Sequence, residues 1–152
     1  MKRILFLFSL ALLSAQERKI PIENFFQTEL KIKDKIFNIW LALSPKQQQE
    51  GLSSLDSDEV AINEGMLFVY PINSIQTFWM KDTFIDLDIA FIHESGEVCN
   101  IYSMKQKSRE CFSSTQNIRY VLELRRGVFD ELNLVVGDKI VIPKIIKEFS
   151  DS

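Results

Sequence analysis

From Glu29 onward the chain alternates apolar and polar residues in short runs, the two-residue period of β-strands rather than the 3.6-residue period of helices. Glu29 to Ile32 and Ile36 to Leu43 are rich in β-formers and flank Lys33-Asp34-Lys35, which predicts a hairpin. Ser44-Pro45-Lys46-Gln47 then places a hydroxyl at the cap, Pro at the first helical position and Gln at the third. Those residues open a helix with a capping box. Gly51 can end it in a left-handed conformation. Leu52 to Asn63 reads as a loop, because its Ser and Asp side chains compete with a helix for backbone hydrogen bonds. Further strands are expected at Met66 to Tyr70, Gln76 to Met80, Leu87 to Ile92 and Glu97 to Ser103, with turns at Pro71 to Ser74 and Glu94 to Gly96. Met104 to Asn117 is polar and aperiodic, a loop over one end of the fold. Arg119 to Leu124 and Lys139 to Ile146 are the last predicted strands, with turns at Gly127 and Gly137-Asp138. The pattern predicts an all-β fold with one or two short helices, a small barrel or jelly-roll-like sandwich spanning residues 29–146. Helices do not alternate with strands, so parallel pairing is not expected.

The first residues follow another logic. Met1-Lys2-Arg3 is basic, Ile4 to Leu13 is almost unbroken apolar sequence, and Ser14-Ala15 is small. That order is the pattern of a secretory signal peptide over residues 1–15, with bulky Leu13 its one irregularity. A membrane-spanning helix needs about twenty apolar residues, so no stable anchor is expected. The chain is expected to be exported, periplasmic or secreted, with an extension over 16–28 and a polar tail over 147–152.

Composition narrows the possibilities. The 152 residues are 46% hydrophobic and 26% charged, as in an ordinary globular domain. Net charge is −3 and becomes more negative once Lys2 and Arg3 are removed. Without a basic stripe, nucleic acid is not an expected partner. Cys99 and Cys111 both lie in the expected exported part, where a disulfide between them is possible. The alternative is a buried Cys99 and a loop Cys111.

The most specific stretch is Gly65 to Phe91. Gly51-Leu52, Gly65-Met66-Leu67-Phe68-Val69, Phe78-Trp79-Met80-Lys81, Thr83, Leu87-Asp88-Ile89, Val121-Leu122-Glu123-Leu124, Gly127 and Gly137-Asp138 follow in order. This pattern resembles the domain-of-unknown-function 192 family, also called uncharacterised protein family 0127, from about Glu29 to Ile142. The resemblance implies a small, mostly β fold of barrel or jelly-roll type, found in bacteria and archaea and often exported. It implies no established activity. The chain departs from the family pattern at Gly51-Leu52-Ser53-Ser54-Leu55, where Gly-Leu-Met followed by Arg is usual. That weakens the case for an anionic ligand at this corner. Asp82 stands where Asn is usual and Asp86 where Pro is usual.

Alternation puts Phe78, Met80 and Asp82 on one face of their strand and Trp79, Lys81 and Thr83 on the other. On the next strand Asp86 and Asp88 share a face, two carboxylates that could hold a hard cation, although weakly. Glu123 lies inside the apolar run Tyr120 to Leu124, where a charge must find a partner or become neutral. The candidate ligand-binding residues are therefore Trp79, Met80, Lys81, Thr83, Asp88 and Glu123. The bland reading has Asp88 and Glu123 pinning loops and the aromatics filling the core. His93 is the single histidine and sits at a strand end; a Cys111–His93 nucleophile has nothing beyond residue type to support it. The pattern contains no zinc spacing, nucleophile elbow, phosphate loop or dinucleotide fingerprint, and no cofactor is expected.

Three functions follow as expectations. The first is an exported β-domain binding a small molecule or envelope protein in a cleft near Trp79 and Asp88. The second is a hydrolase or isomerase using Asp88 and Glu123 as acid and base. The third is a purely structural envelope protein.

Overall fold

The computed structural model describes residues 17–150; the expected signal peptide lies outside them. After a 3-10 turn at Ile22–Asn24 come β1 (Phe26–Ile32), β2 (Lys35–Ala42) and α1 (Pro45–Glu50). Then follow β3 (Glu64–Ser74), β4 (Thr77–Trp79), β5 (Leu87–Ile92), β6 (Val98–Met104), β7 (Cys111–Ser113) and β8 (Ile118–Arg125). The chain ends in α2 (Val128–Glu131) and α3 (Lys144–Ser150). The fold is mostly β. Six strands form one sheet in the order β1-β2-β3-β8-β5-β6, and β4 pairs with β7 in a two-stranded ribbon. The large sheet does not close into a barrel, and its covered faces give a sandwich-like, layered molecule.

Alternation sorts the large sheet's side chains. Leu30, Ile39, Leu41, Leu67, Ala90, Leu122 and Leu124 bury on one face against Phe129, Leu132, Ile140 and Ile146 from the α2–α3 region. Trp40, Met66, Phe68, Ile89, Phe91 and Val121 bury on the other, against Leu52, Leu55, Val60, Met80 and Ile85. With both faces covered, the inner strands read as continuous apolar runs, and β5 is buried at every position. A chain of tilted and edge-on rings joins ribbon to sheet: Phe68 to Phe78 (4.8 Å), Phe78 to Phe91 (5.9 Å), Phe91 to Tyr102 (6.0 Å) and Tyr102 to Phe112 (5.4 Å).

Several expectations are corrected. β2 and β3 pair in parallel, from Asn38↔Glu64 to Ala42↔Phe68. A parallel pair needs a long crossover, and α1 with the 51–63 connection supplies it. Pro71 to Ser74 is not a turn but the end of β3, where the register against β8 shifts between Val69 and Ser74. An irregularity is where a strand can accommodate a residue without an amide donor, such as Pro71. Lys139 to Ile146 is not a strand. Only Glu97↔Lys139 bridges, and the chain turns at Pro143 into α3, which runs into the expected tail. The polar 104–117 stretch contains β7.

The capping box is present at α1. Ser44 Oγ accepts from the Gln47 amide at 3.3 Å, and Gln47 Oε1 accepts from the Ser44 amide at 3.0 Å. Gly51 follows at φ 52° and ψ −138°, a backbone state that side chains strongly disfavour.

Gly65 is required for another reason. A Cβ there would fall inside contact distance of the Glu123 carbonyl oxygen and the Leu124 side chain. Gly65→Ala is expected to force β3 away from β8 and destabilise the domain by about 1–3 kcal/mol, measured by urea unfolding. Unchanged stability would show that the β3–β8 approach yields easily.

Candidate functional site

The site forms where the cover over one face of the sheet is incomplete. Glu123 of β8 lies opposite Met66 on β3 and Ile89 on β5, so its side chain shares their face. There it reaches a cleft of about 210 Å³, the volume of about seven waters. Phe68, Tyr70, Phe78 and Trp79 supply rings to the lining, and α1 with Gly51 to Ser53 supplies the opposite side. Glu50, Trp79 and Lys81 also line a wider groove of about 620 Å³ that extends to Glu17 and Lys19.

Glu123 is 5% exposed. Burial pushes its carboxyl up to about 8, with no hydrogen bond or charge partner offsetting that effect. At neutral pH it is an uncharged acid, able both to donate and to accept a hydrogen bond. Burial and the nearby Glu123 also raise the Tyr70 hydroxyl.

The rim is built by hydrogen bonding. Gln48 Nε2 donates to the Val69 carbonyl at 2.9 Å, tying α1 to β3. The Arg18 guanidinium donates to the carbonyls of Gly51 and Ser53, bringing the N-terminal segment onto the same corner. Trp79 is 54% exposed, with Lys81 Nζ 5.4 Å from its ring centroid. Thr83 is buried and also lines the cleft.

The sequence candidates therefore divide. Trp79, Lys81, Thr83 and Glu123 come together at the cleft; Met80 and Asp88 do not line it. Met80 is 1% exposed inside the core, because strand alternation ends with β4 at Trp79. Asp82 lies beyond that end, exposed and at φ 57°.

Asp88 pairs across β8 with Leu124, the residue after Glu123, so the two carboxyls point to opposite faces of the sheet. The expected acid–base pair is not assembled. Asp88 Oδ1 accepts from Ser103 Oγ at 2.7 Å, and Oδ2 accepts from the amides of Gly127 (2.8 Å) and Phe129 (3.4 Å). It caps α2 from a neighbouring strand, the loop-pinning role foreseen as the bland reading.

Asp86 Oδ1 accepts from the Gln106 amide at 2.8 Å, and Oδ2 lies 3.8 Å from Arg126. Among the described residues no cluster of three His, Cys, Asp or Glu is placed to hold a metal ion. Cys99 and Cys111 are both free thiols, so the possible disulfide is not formed. Cys99 is buried with Sγ toward the Glu97 carbonyl and Gln116, whereas Cys111 is exposed on the ribbon opposite Trp79. His93 sits in the β5–β6 turn, bonded to Ser95 at 3.1 Å.

Sequence reading missed Tyr70, Phe78, Gln48 and Gly51 as lining residues. Aromatic residues in strands signal core equally well, and no local pattern shows that the α1 end folds back over β3. The signal available was Glu123, a charged residue within an apolar strand run, as Asp88 also is.

Comparison with known proteins agrees with this frame. Residues 28–142 match the family described as DUF192, Uncharacterized ACR. The chain belongs to this family. A solved structure of similar fold is that of a Sinorhizobium meliloti 1021 protein described as a candidate transcription regulator. It is 27% identical, with a TM-score of 0.71 over 77% of this chain and 94% of that one. A Novosphingobium aromaticivorans DSM 12444 protein of unknown function is 26% identical, with a TM-score of 0.68 over 78% and 85%. No curated protein matches the sequence.

Two outcomes are expected for this family member. Asp88→Ala removes the partner of three donors and should cost about 3 kcal/mol, a fall of about 10 °C in Tm. Ser103→Ala, which loses one of those bonds, should cost about 1 kcal/mol. Thermal unfolding followed by circular dichroism checks both.

Glu123 binds its proton more tightly folded than unfolded. Its contribution is complete below about pH 4.5 and is lost as pH rises toward about 8. Relative to Glu123→Gln, the wild type should lose about 3 kcal/mol of stability between pH 4.5 and 7. Parallel pH–stability curves for the two proteins would contradict the raised affinity of Glu123 for its proton.

Proposed function

We propose that this protein is an exported β-domain that binds a small ligand in the cleft ending at Glu123. The observation carrying the reading is the carboxyl itself. No described residue bonds this carboxyl, so it opens to the cleft, and an occupant that offered it no hydrogen bond would cost about 1–3 kcal/mol by mutational measures. A fold can avoid that cost with an apolar residue, as at neighbouring Val121 and Met66. A carboxyl kept there, at the end of an aromatic-walled cleft, suits a site whose partner arrives with the ligand. Stability given up at a buried polar position is characteristic of binding sites.

Export is supported by the basic, apolar and small-residue order of residues 1–15. No helix among the described residues is long and apolar enough to cross a membrane. The regulator description of the Sinorhizobium protein is not carried over, since a net charge of −3 without a basic stripe offers little to nucleic acid. The cleft also favours binding over the purely structural reading, which needs no concavity at all.

Native mass spectrometry of protein recovered from an exporting host tests this reading. The expected result is an excess mass that disappears on denaturation, and that is reduced or absent in Glu123→Gln. The denatured mass should correspond to a chain beginning near Gln16. Equal native and denatured masses, with no rise in Tm in the presence of a host metabolite extract, would overturn the binding reading. A denatured mass that retains residues 1–15 would overturn export.

A further inference from the structure

The proposed ligand site has a chemistry that narrows what it accepts. Its buried end carries one ionisable acid, Glu123, which no described residue supplies with a hydrogen bond or a counter-charge. The walls beside it include the rings of Phe68, Tyr70 and Phe78, and Trp79 stands at the mouth. Aromatic faces carry negative potential and attract cations within about 6 Å of the ring centroid. The protein already uses this attraction next to the cleft, where Lys81 Nζ sits 5.4 Å from the Trp79 centroid.

An anion entering the closed end would meet the Phe68, Tyr70 and Phe78 rings and a carboxyl, while the positive charge on the lining, Lys81, is set against Trp79. A neutral apolar molecule would leave that carboxyl unpaired. A cation gives both the rings and the carboxyl a partner. The size of the cleft, about 210 Å³, restricts the head to a small group.

Building on the ligand-binding reading, we propose that the cleft takes a small organic ammonium ion, its charged head set against the Glu123 carboxylate between the aromatic walls. Bringing a positive charge to this position favours the ionised carboxylate, so the acid must release its proton for full binding. The other titratable groups lining the cleft are Glu50 from α1, Tyr70 from β3 and Lys81 beyond β4, and Arg18 is bonded to the rim carbonyls. Burial and Glu123 raise the Tyr70 hydroxyl, which keeps it neutral over the working range.

The test is isothermal titration calorimetry of the mature protein with choline and with butylammonium, each beside its neutral isostere, 3,3-dimethylbutan-1-ol and butan-1-ol. At least one ammonium ion should bind ten-fold or more tightly than its isostere. Affinity for choline, whose charge does not titrate, should rise by up to ten-fold per pH unit from pH 6 toward about 8, where Glu123 becomes ionised, and level off above. Glu123→Gln should abolish the preference for charged over neutral probe, with folding verified by its circular dichroism and melting curve.

Neutral isosteres that bind as tightly as the ammonium ions would overturn the cation assignment while leaving a ligand site in place. Failure of both ammonium ions to bind would also overturn it, and the mass measurement then judges the binding reading separately. A charge preference that survives Glu123→Gln would place the cation elsewhere and overturn the inference.

Discussion

Strand β8 lies between β3 and β5, and its registers with both bring Glu123 and Leu124 to adjacent positions facing opposite ways. The two sides of the sheet acquire different tasks from that placement. Leu122 and Leu124 join the face closed by α2 and α3, while Val121 and Glu123 join the face under α1 and the ribbon. Close approach of β3 to β8 at Gly65 sets how tightly the site's floor is built. If this pairing moved by one residue, Glu123 would turn into a leucine-rich core and the cleft would gain an apolar floor.

On the closed face Asp88 fastens the start of α2 beside the apolar core, and on the open face the N-terminal half of the chain supplies the cover. Asp88 spans from β5 to the first turn of α2 and satisfies amides that a four-residue helix cannot satisfy itself. On the other face Arg125 donates to the carbonyls of Ser57 and Val60 at 3.1 Å, fastening the long connection after α1. Arg18 fastens the corner beside it. These bonds hold irregular chain segments in place where no strand ladder could, leaving a cleft between well-anchored walls.

Much of the fold was legible in the sequence because alternation and turn residues are local signals. The β1–β2 hairpin, the capping box at Ser44 and Gln47, β5, β6 and the core of β8 followed from them. The parallel β2–β3 pairing was not, since it depends on where a long connection returns rather than on either strand. Nor was the ribbon, whose three-residue strands are too short to show a period. Within the candidate site, Trp79, Lys81, Thr83 and Glu123 were named from residue type and position. Asp88 was misplaced because sequence shows that a carboxylate is buried but not which face of the sheet it occupies. Alternation gives relative sides within one strand, whereas the Asp88–Glu123 relation requires the register between two strands. Resemblance to the DUF192 family fixed the frame and left its chemistry open.

The strand order also bears on how the molecule is made. The middle strand of the large sheet is the last to leave the ribosome, some fifty residues after β3, its partner on one side. Until Arg125 has emerged, the β1–β3 unit and the β5–β6 hairpin each present an unpaired apolar edge, and neither face of the sheet is complete. Such a chain gains little from folding in pieces, and its early fragments carry the exposed edges that favour aggregation. The delay is compatible with the export proposed above: the strand that locks the sheet follows all the other described strands.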